Sequence, residues 1–186
     1  CKHFAMPRNH CSPVMKNAFT VLTTALCIAL LAGCYVSNRE IKYSIKGAVP
    51  VGTAISVTTP EDGIYMEDVY PNSGKVVARK LVAALTPYYP GSTVSSTGNR
   101  GVYLIEPKIL HWEDRATEWS GKADRVKVSL PLYRSGSLVG SALITANSSW
   151  WTFGGDHPED LLDTPFESYA ASLAGKANPN LAVVEH

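Results

Sequence analysis

The sequence predicts an α+β fold, a two-layer sandwich with two main helices on one face of a mostly antiparallel sheet. Apolar residues recur at helical spacing in residues 73–85, and the capping and first-turn residues at 156–160 predict a second helix over residues 158–173. Residues 125–133 alternate apolar and polar side chains, and Ser135-Gly136-Ser137 then predicts a hairpin turn into a returning strand at residues 138–149. A sheet of this kind has one apolar face, against which both helices are expected to pack.

The first half of the chain supplies two of the predicted strands. Residues 51–57 place Val51, Thr53, Ile55 and Val57 at alternate positions, which is typical of a half-buried strand. The turn sequence Pro60-Glu61-Asp62-Gly63 follows. A second, short strand is predicted at Thr93-Val94-Ser95.

The first helix has recognisable ends. Ser73 is the predicted N-cap, since its hydroxyl can accept a bond from an early backbone N–H. Pro87 cannot continue a helix and is expected to stop it. Four apolar residues share the predicted buried face: Val77, Leu81, Ala84 and Leu85.

The second half predicts a three-stranded antiparallel meander. Its first strand lies within residues 101–115, with Pro107 as a bulge or edge feature. In the middle strand every second side chain is predicted to point toward the core: Val126, Val128, Leu130 and Leu132. In the helix that follows, Asp156 and Glu159 have capping-box spacing, Pro158 suits the first turn, and Gly175 ends the helix.

The start of the chain resembles a bacterial lipoprotein signal. We interpret residues 1–14 as an upstream translation artefact and residues 15–33 as the signal peptide, with Lys16 as its charge and an apolar stretch at residues 18–30. Leu31-Ala32-Gly33-Cys34 resembles a lipobox, so cleavage before Cys34 and attachment of diacylglycerol to its thiol are expected. The alternative is a buried helix or a membrane span, but the stretch is short against the ~20 residues that a span needs.

Processing at Cys34 would divide the chain further. Residues 34–47 are then the acylated N-terminus and a tether, residues 48–175 one α+β domain, and residues 176–186 a flexible tail. Anchoring by two or more acyl chains is stable where one is marginal. Tyr35, in the place where Asp would favour the inner membrane, indicates the periplasmic face of the outer membrane.

The charge and the cysteine content of the chain argue against several kinds of function. The chain carries 17 basic and 16 acidic residues, and only basic ones, Lys2, Arg8 and Lys16, precede Cys34. The remaining net charge of −2 gives no basic excess for nucleic acid. Cys1, Cys11 and Cys27 also precede Cys34, so the mature chain would have no disulfide and no cysteine metal site. We predict no cofactor.

Charged and aromatic side chains are concentrated in two segments, residues 111–121 and residues 150–158. In the first, His111, Glu113 and Arg115 would share one strand face, as a metal or acid–base site requires, although an exposed ion pair beside a core Trp112 explains the same pattern. In the second, glycines precede a helix N-terminus, which could bind an anion or simply cap the helix. The candidate binding surface comprises His111, Trp112, Glu113, Arg115, Glu118, Trp119, Trp151, Gly154, Gly155, Asp156 and His157.

The four tryptophans all lie between residues 112 and 151. Aromatic residues are enriched at interfaces and also stack on sugar rings, but they equally pack cores. Because adjacent side chains on a strand point to opposite faces, Trp150 and Trp151 cannot both be buried unless both faces are covered.

These two segments also carry a family resemblance. Ile109 to Gly121 and Thr152 to Leu162 resemble a family of bacterial lipoproteins with a domain of unknown function, over Ala48 to Leu173. The order of elements is more loosely similar to the amino-terminal domain of the TolB translocation protein, to the curli secretion lipoprotein and to lipoprotein activators of penicillin-binding proteins. These likenesses imply a binding or assembly module.

Three functions follow from these patterns. The first is a lipid-anchored, non-enzymatic envelope protein that binds an envelope protein or a cell-wall glycan through the candidate surface. The second is a metal-dependent or hydrolytic enzyme that uses His111, Glu113, Asp156 and His157, which requires the two segments to meet in space. The third is a structural lipoprotein that maintains envelope integrity without a specific ligand.

Overall fold

The computed structural model describes residues 38–45, 47–96, 102–114, 123–148, 157–176 and 183–185. Within these ranges the chain forms an eight-stranded mixed sheet, a two-stranded hairpin and two helices. The strands are β1 Asn38–Ile45, β2 Ile55–Thr58, β3 Ile64–Tyr65, β4 Asp68–Val69, β5 Thr93–Ser95, β6 Tyr103–Ile105, β7 Lys108–Glu113, β8 Arg125–Arg134, β9 Ser137–Asn147 and β10 Val183–Glu185. The helices are α1 Ser73–Leu85 and α2 Asp163–Leu173.

The sheet has the order β10-β1-β9-β8-β6-β2-β5, and β7 also pairs with β8. Its centre, β1, β9, β8 and β7, is antiparallel, while β2 runs parallel to β5 and β6, and β1 to β10. Both helices contact each other and the same apolar face, so the predicted α+β sandwich is confirmed. Tyr169 and Phe166 of α2 and Leu81 of α1 are fully buried there.

The predicted meander is confirmed as β7, β8 and β9. Strand β8 is long enough to pair with β7 along Arg125 to Ser129 and with β6 along Leu132 to Arg134. The segment predicted as one extended strand, residues 101–115, forms two strands, β6 and β7; the buried Pro107 lies between them, and the bulge lies at Ile109/His111 instead. The β8–β9 turn has positive φ at Ser135 (48°) and Gly136 (84°), as a type I′ hairpin requires.

Two segments that the sequence placed outside the domain contribute strands. Within residues 34–47, the predicted tether, Asn38–Ile45 forms β1 and pairs along its whole length with β9. Within residues 176–186, the predicted tail, Val183–Glu185 pairs with β1. Because only one face of β1 meets the core, Glu40, Lys42 and Ser44 alternate with apolar residues and give the segment the polar composition of a linker.

The first predicted strand is shorter than its alternation indicates. It begins at Ile55 rather than Val51, which lies in a turn with Gly52 and is 60% exposed. Gly52 has a φ of 87°, which a strand cannot accommodate, so the alternation at Val51 and Thr53 does not continue the ladder.

Helix α1 has the predicted bounds but a different cap. The N-cap residue is Asn72, with a φ of 68°, and not Ser73. Asp62, from the preceding loop, accepts the N–H groups of Asn72 (3.0 Å) and Gly74 (2.9 Å). The Ser73 hydroxyl instead accepts the Gly63 N–H at 2.8 Å and donates to the Tyr70 carbonyl. The loop before the helix is therefore fixed to its first turn.

Helix α2 also begins differently from its prediction. Its predicted first turn is a 3-10 turn, Asp160–Leu162, and regular helix begins at Asp163. Asp156 of the predicted capping box lies outside the described residues. At the other end Gly175 has a φ of 68°, and the Lys176 N–H donates to the Ala171 carbonyl, which is the Schellman arrangement that a terminal glycine favours.

Candidate functional site

The candidate site is built around the end of β7. Alternation places His111 and Glu113 on the sheet face away from the helices, opposite Lys127 and Arg125 of β8. The His111 Nε2 lies 3.1 Å from Glu113 Oε2, and because an ionised carboxylate only accepts, the imidazole donates. The Glu113 side chain is 3% exposed against 36% for His111. A buried carboxylate thus orients a partly exposed imidazole.

The β3–β4 hairpin lies beside the His111–Glu113 pair. The ring of Tyr65 in β3 meets His111 edge-on, with centroids 5.3 Å apart. Tyr70, just after β4, donates its hydroxyl to the Asp114 carbonyl at 3.4 Å. Nothing in the sequence singles out these tyrosines, because β3 and β4 are too short to show a period.

Trp112 belongs to the core. It is 2% exposed and lies opposite Val126, on the face that the helices cover. Gly63 approaches it so closely that a Cβ there would lie 2.5 Å from the Trp112 Cβ. Trp112 therefore positions β7, and the described geometry assigns it the packing role that the sequence left as an alternative.

The two candidate segments meet in space, as the sequence hypothesis requires. Asp114 is the residue after β7, and His157 lies just before the 3-10 turn that leads into α2. The Oδ1 atom of Asp114 lies 3.4 Å from the Nδ1 atom of His157. A second link joins Asp124 to Ser148: the backbones bond at 2.9 Å, and the Ser148 hydroxyl accepts the Asp124 N–H at 2.8 Å. Each link joins one end of residues 115–122 to one end of residues 149–156.

The remaining candidate residues lie outside the described part of the chain. They are Arg115, Glu118, Trp119, Trp151, Gly154, Gly155 and Asp156, together with Cys34. Their roles stay predictions. Asp114 and Ser148, which join the two segments, escaped the sequence analysis because contacts across 43 and 24 residues leave no local pattern.

The contact between His157 and Asp114 changes the pKa of His157. The hydrogen bond that the His157 imidazole donates to Asp114 raises the pKa of His157; burial opposes this, and the charges of Asp114, Glu159 and Asp160 add to the rise. Since the folded-state pKa is raised, the contact stabilises the fold below the ordinary histidine pKa of about 6.5. That contribution is lost as the pH rises through the raised value. The imidazole is 58% exposed, so the effect on stability is small.

We expect the pKa of His157, measured by an NMR titration of the purified protein, to lie above about 6.5. In the Asp114→Asn variant it should fall, because the hydrogen bond that the imidazole donates to the Asp114 carboxylate is the largest cause of the rise. Asp163→Asn is the matched control, since Asp163 pairs with Lys80 at 2.7 Å. An unchanged titration in Asp114→Asn would contradict the link between the two segments.

Beside the hairpin lies an open groove of about 660 Å³. It forms where the chain after β2 diverges from the β6–β7 junction, and Ile64, Pro107 and Leu110 are among its lining residues. Among the described residues no three His, Cys, Asp or Glu side chains are placed to hold a metal. None of the helices described here is long and apolar enough to cross a membrane.

Comparison with known proteins identifies the family. The model of the domain of unknown function DUF4823 matches residues 48–173. The chain belongs to this family. The match has the limits that the sequence resemblance predicts, Ala48 to Leu173, and includes Lys108–Glu113 and His157. No curated protein matches the DUF4823 chain.

Solved structures share the fold of the DUF4823 chain at low sequence identity. The PelC dodecamer from Paraburkholderia phytofirmans is 12% identical, with a TM-score of 0.57 over 76% of this chain and 100% of PelC. A single-residue variant of that protein, also a dodecamer, gives 12% identity and a TM-score of 0.58 over the same shares. At this identity the likeness shows the fold alone.

Proposed function

We propose that this DUF4823 protein is a lipid-anchored protein of the bacterial cell envelope that acts as a non-enzymatic binding or assembly module. The lipobox-like sequence ending at Cys34 supports anchoring on the periplasmic face of the outer membrane. The partner is an envelope protein or a cell-wall glycan. PelC, which shares the fold, is a dodecamer, and this supports the assembly part of the proposal.

The observation that carries the proposal is the pair of links Asp114–His157 and Asp124–Ser148. They connect the residues that flank two segments rich in charge and tryptophan, and Asp114, Asp124 and Ser148 each directly precede or follow a strand of the sheet. Tryptophan is enriched among the residues that dominate binding energy at interfaces, which favours recognition of a partner. The oriented His111–Glu113 pair adds a polar contact at the same end of β7.

A photo-crosslinking amino acid at position 119, in the acylated protein in its native membrane, tests the binding part. We expect a discrete adduct from position 119 and none from the exposed control position 86. Replacing Trp119 and Trp151 by Ala should abolish the adduct formed from a crosslinker at position 118, while the circular dichroism spectrum and melting temperature stay unchanged. Capture that survives in this folded double variant would count against the proposed surface.

Two further measurements separate the rival functions. Cys34→Ala should prevent incorporation of labelled fatty acid and release the protein from the membrane fraction, and retention of the label would contradict the anchor. Stoichiometric metal in protein purified without added metal would instead favour an enzyme using His111, Glu113, Asp156 and His157.

A further inference from the structure

The β3–β4 hairpin exposes an unusual number of large apolar side chains. Ile64 (60% exposed) and Val69 (56%) lie opposite each other across the hairpin, and Met66 at its tip is 82% exposed. Leu110, 54% exposed at the bulge in β7, lines the same groove as Ile64. We call Ile64, Met66, Val69 and Leu110 the hairpin patch. Contiguous exposed apolar residues of this kind mark interaction surfaces.

The conformation of the hairpin tip holds Met66 in this exposed place. Met66 and Glu67 form the two-residue turn, and Met66 has a φ of 56°. Positive φ is uncommon for residues other than Gly, Asn and Asp, and the favoured turns of this length use those residues. A backbone strain that presents an apolar side chain to solvent points to a contact that the isolated chain does not show.

The charge around the hairpin patch narrows the choice of partner. Glu61, Asp62, Glu67 and Asp68 lie in or beside the hairpin, and residues 47–74 contain no Lys or Arg, while Lys108 is the basic residue that lines the groove beside them. An acidic rim is repelled by anionic lipid headgroups, so a membrane surface is disfavoured. The matching partner surface is apolar with basic residues beside it.

The same chain carries such a surface on the sheet face away from the helices. Arg125 and Lys127 project from one end of β8, and Tyr133 from the other end lies opposite Leu138, which is 60% exposed. Leu143 of β9 pairs with Ser129 between these ends and shares their face. We call Arg125, Lys127, Tyr133, Leu138 and Leu143 the outer strip. Both described helices pack on the opposite face.

We propose that the hairpin patch of one copy docks on the outer strip of a second copy. The contact joins two different surfaces, so it is head-to-tail and repeats from copy to copy, closing into a ring if the rotation permits. Apolar side chains meet apolar side chains, and Glu67 and Asp68 face Arg125 and Lys127. The inference rests on the assembly part of the proposed function and names the surfaces that it uses.

The test measures self-association of the acylated mature protein in detergent by sedimentation over a concentration series. Met66→Ser and Leu138→Ser should each weaken association at least about tenfold, because either removes an apolar contact. Val51→Ser is the matched control, since Val51 is as exposed as Ile64 but lies outside both surfaces, and it should have no effect.

A charge exchange identifies the surfaces that meet. Glu67→Lys and Lys127→Glu should each weaken association about tenfold, and the double variant should recover most of the loss, since attraction is restored with the signs reversed. A crosslinker at position 66 should yield a two-copy adduct whose second peptide comes from β8 or β9.

Several results would overturn the inference. They are a protein that stays monomeric at every concentration, an oligomer that the four single variants leave unchanged, and an adduct that joins position 66 to position 66. An adduct from position 66 with a different protein would also overturn it. Trp119 is a member of neither surface, and the two tests have separate readouts. An adduct between position 119 and a different protein, in a protein that stays monomeric, would overturn the self-association and leave the proposed function standing.

Discussion

Replacing Trp112 by Ala should lower the free energy of unfolding by about 3–5 kcal/mol, the usual cost of deleting a large buried aromatic ring. Trp112 is 2% exposed and joins β7 to the loop at Gly63, so its removal leaves a cavity between the meander and the start of α1. A loss of this size is a large share of the 5–15 kcal/mol that stabilises a typical domain.

Urea denaturation followed by far-ultraviolet circular dichroism would measure the effect of Trp112→Ala, because that signal comes mainly from the backbone. Lys108→Ala on the same strand is the control, since the Lys108 side chain is exposed and its loss should change stability by less than about 0.5 kcal/mol. Equal losses in the two variants would show that Trp112 is not part of the core.

Replacing Gly74 by Ala should destabilise the protein by about 1–3 kcal/mol, although Ala favours helix over Gly by about 1 kcal/mol. The added Cβ would lie 2.2 Å from the carbonyl oxygen of Pro60, so the loop must move. Such a shift also disturbs Asp62, which accepts the N–H of Gly74. The steric cost involves backbone and a cap together, and it outweighs the gain in helix propensity.

The comparison for Gly74→Ala is the reverse substitution at an exposed site of the same helix. Ala83→Gly should cost about 1 kcal/mol from propensity alone. Thermal and urea unfolding would thus show that both exchanges between Gly and Ala in α1 are destabilising. A more stable Gly74→Ala protein would contradict the close contact between the helix and the Pro60 loop.

Elements with strong local patterns were predictable from the sequence. Helix α1 has the expected limits, Ser73 and Leu85, because its apolar residues recur at helical spacing and Pro87 follows. The β8–β9 hairpin was equally predictable, since β8 alternates and the Ser135-Gly136 turn admits positive φ. In both cases the decisive interactions are between residues close in sequence.

Elements that depend on distant partners could not be predicted in this way. Strand β1 forms by pairing with β9, which lies about a hundred residues away, and the composition of β1 itself is that of a linker. The cap of α1 comes from Asp62 and not from Ser73, because the loop folds back over the helix start. The end of α2 at Gly175, by contrast, is local and was expected, and its Schellman hydrogen bonds are seen in the structure.

The candidate site likewise has features that could be predicted from the sequence and features that could not. The sequence identified His111, Glu113 and His157 as chemically able residues and placed His111 and Glu113 on one face by alternation alone. It could not choose between a packing and a contact role for Trp112, since burial depends on what covers the strand. It also gave no sign that Asp114 meets His157, because that contact forms only when the sheet brings β7 beside the start of α2.

The fold class, the meander, both helices, the family limits and the residues that can do chemistry could all be inferred from the order of the amino acids. Periodicity, turn residues and local capping are encoded within a few positions of one another, so they can be recognised without coordinates. Three features became known only from the folded chain: β1 completes the sheet, Trp112 belongs to the core, and two links join the candidate segments. These outcomes depend on which surfaces become neighbours, and that is settled by the burial of the whole apolar face at once.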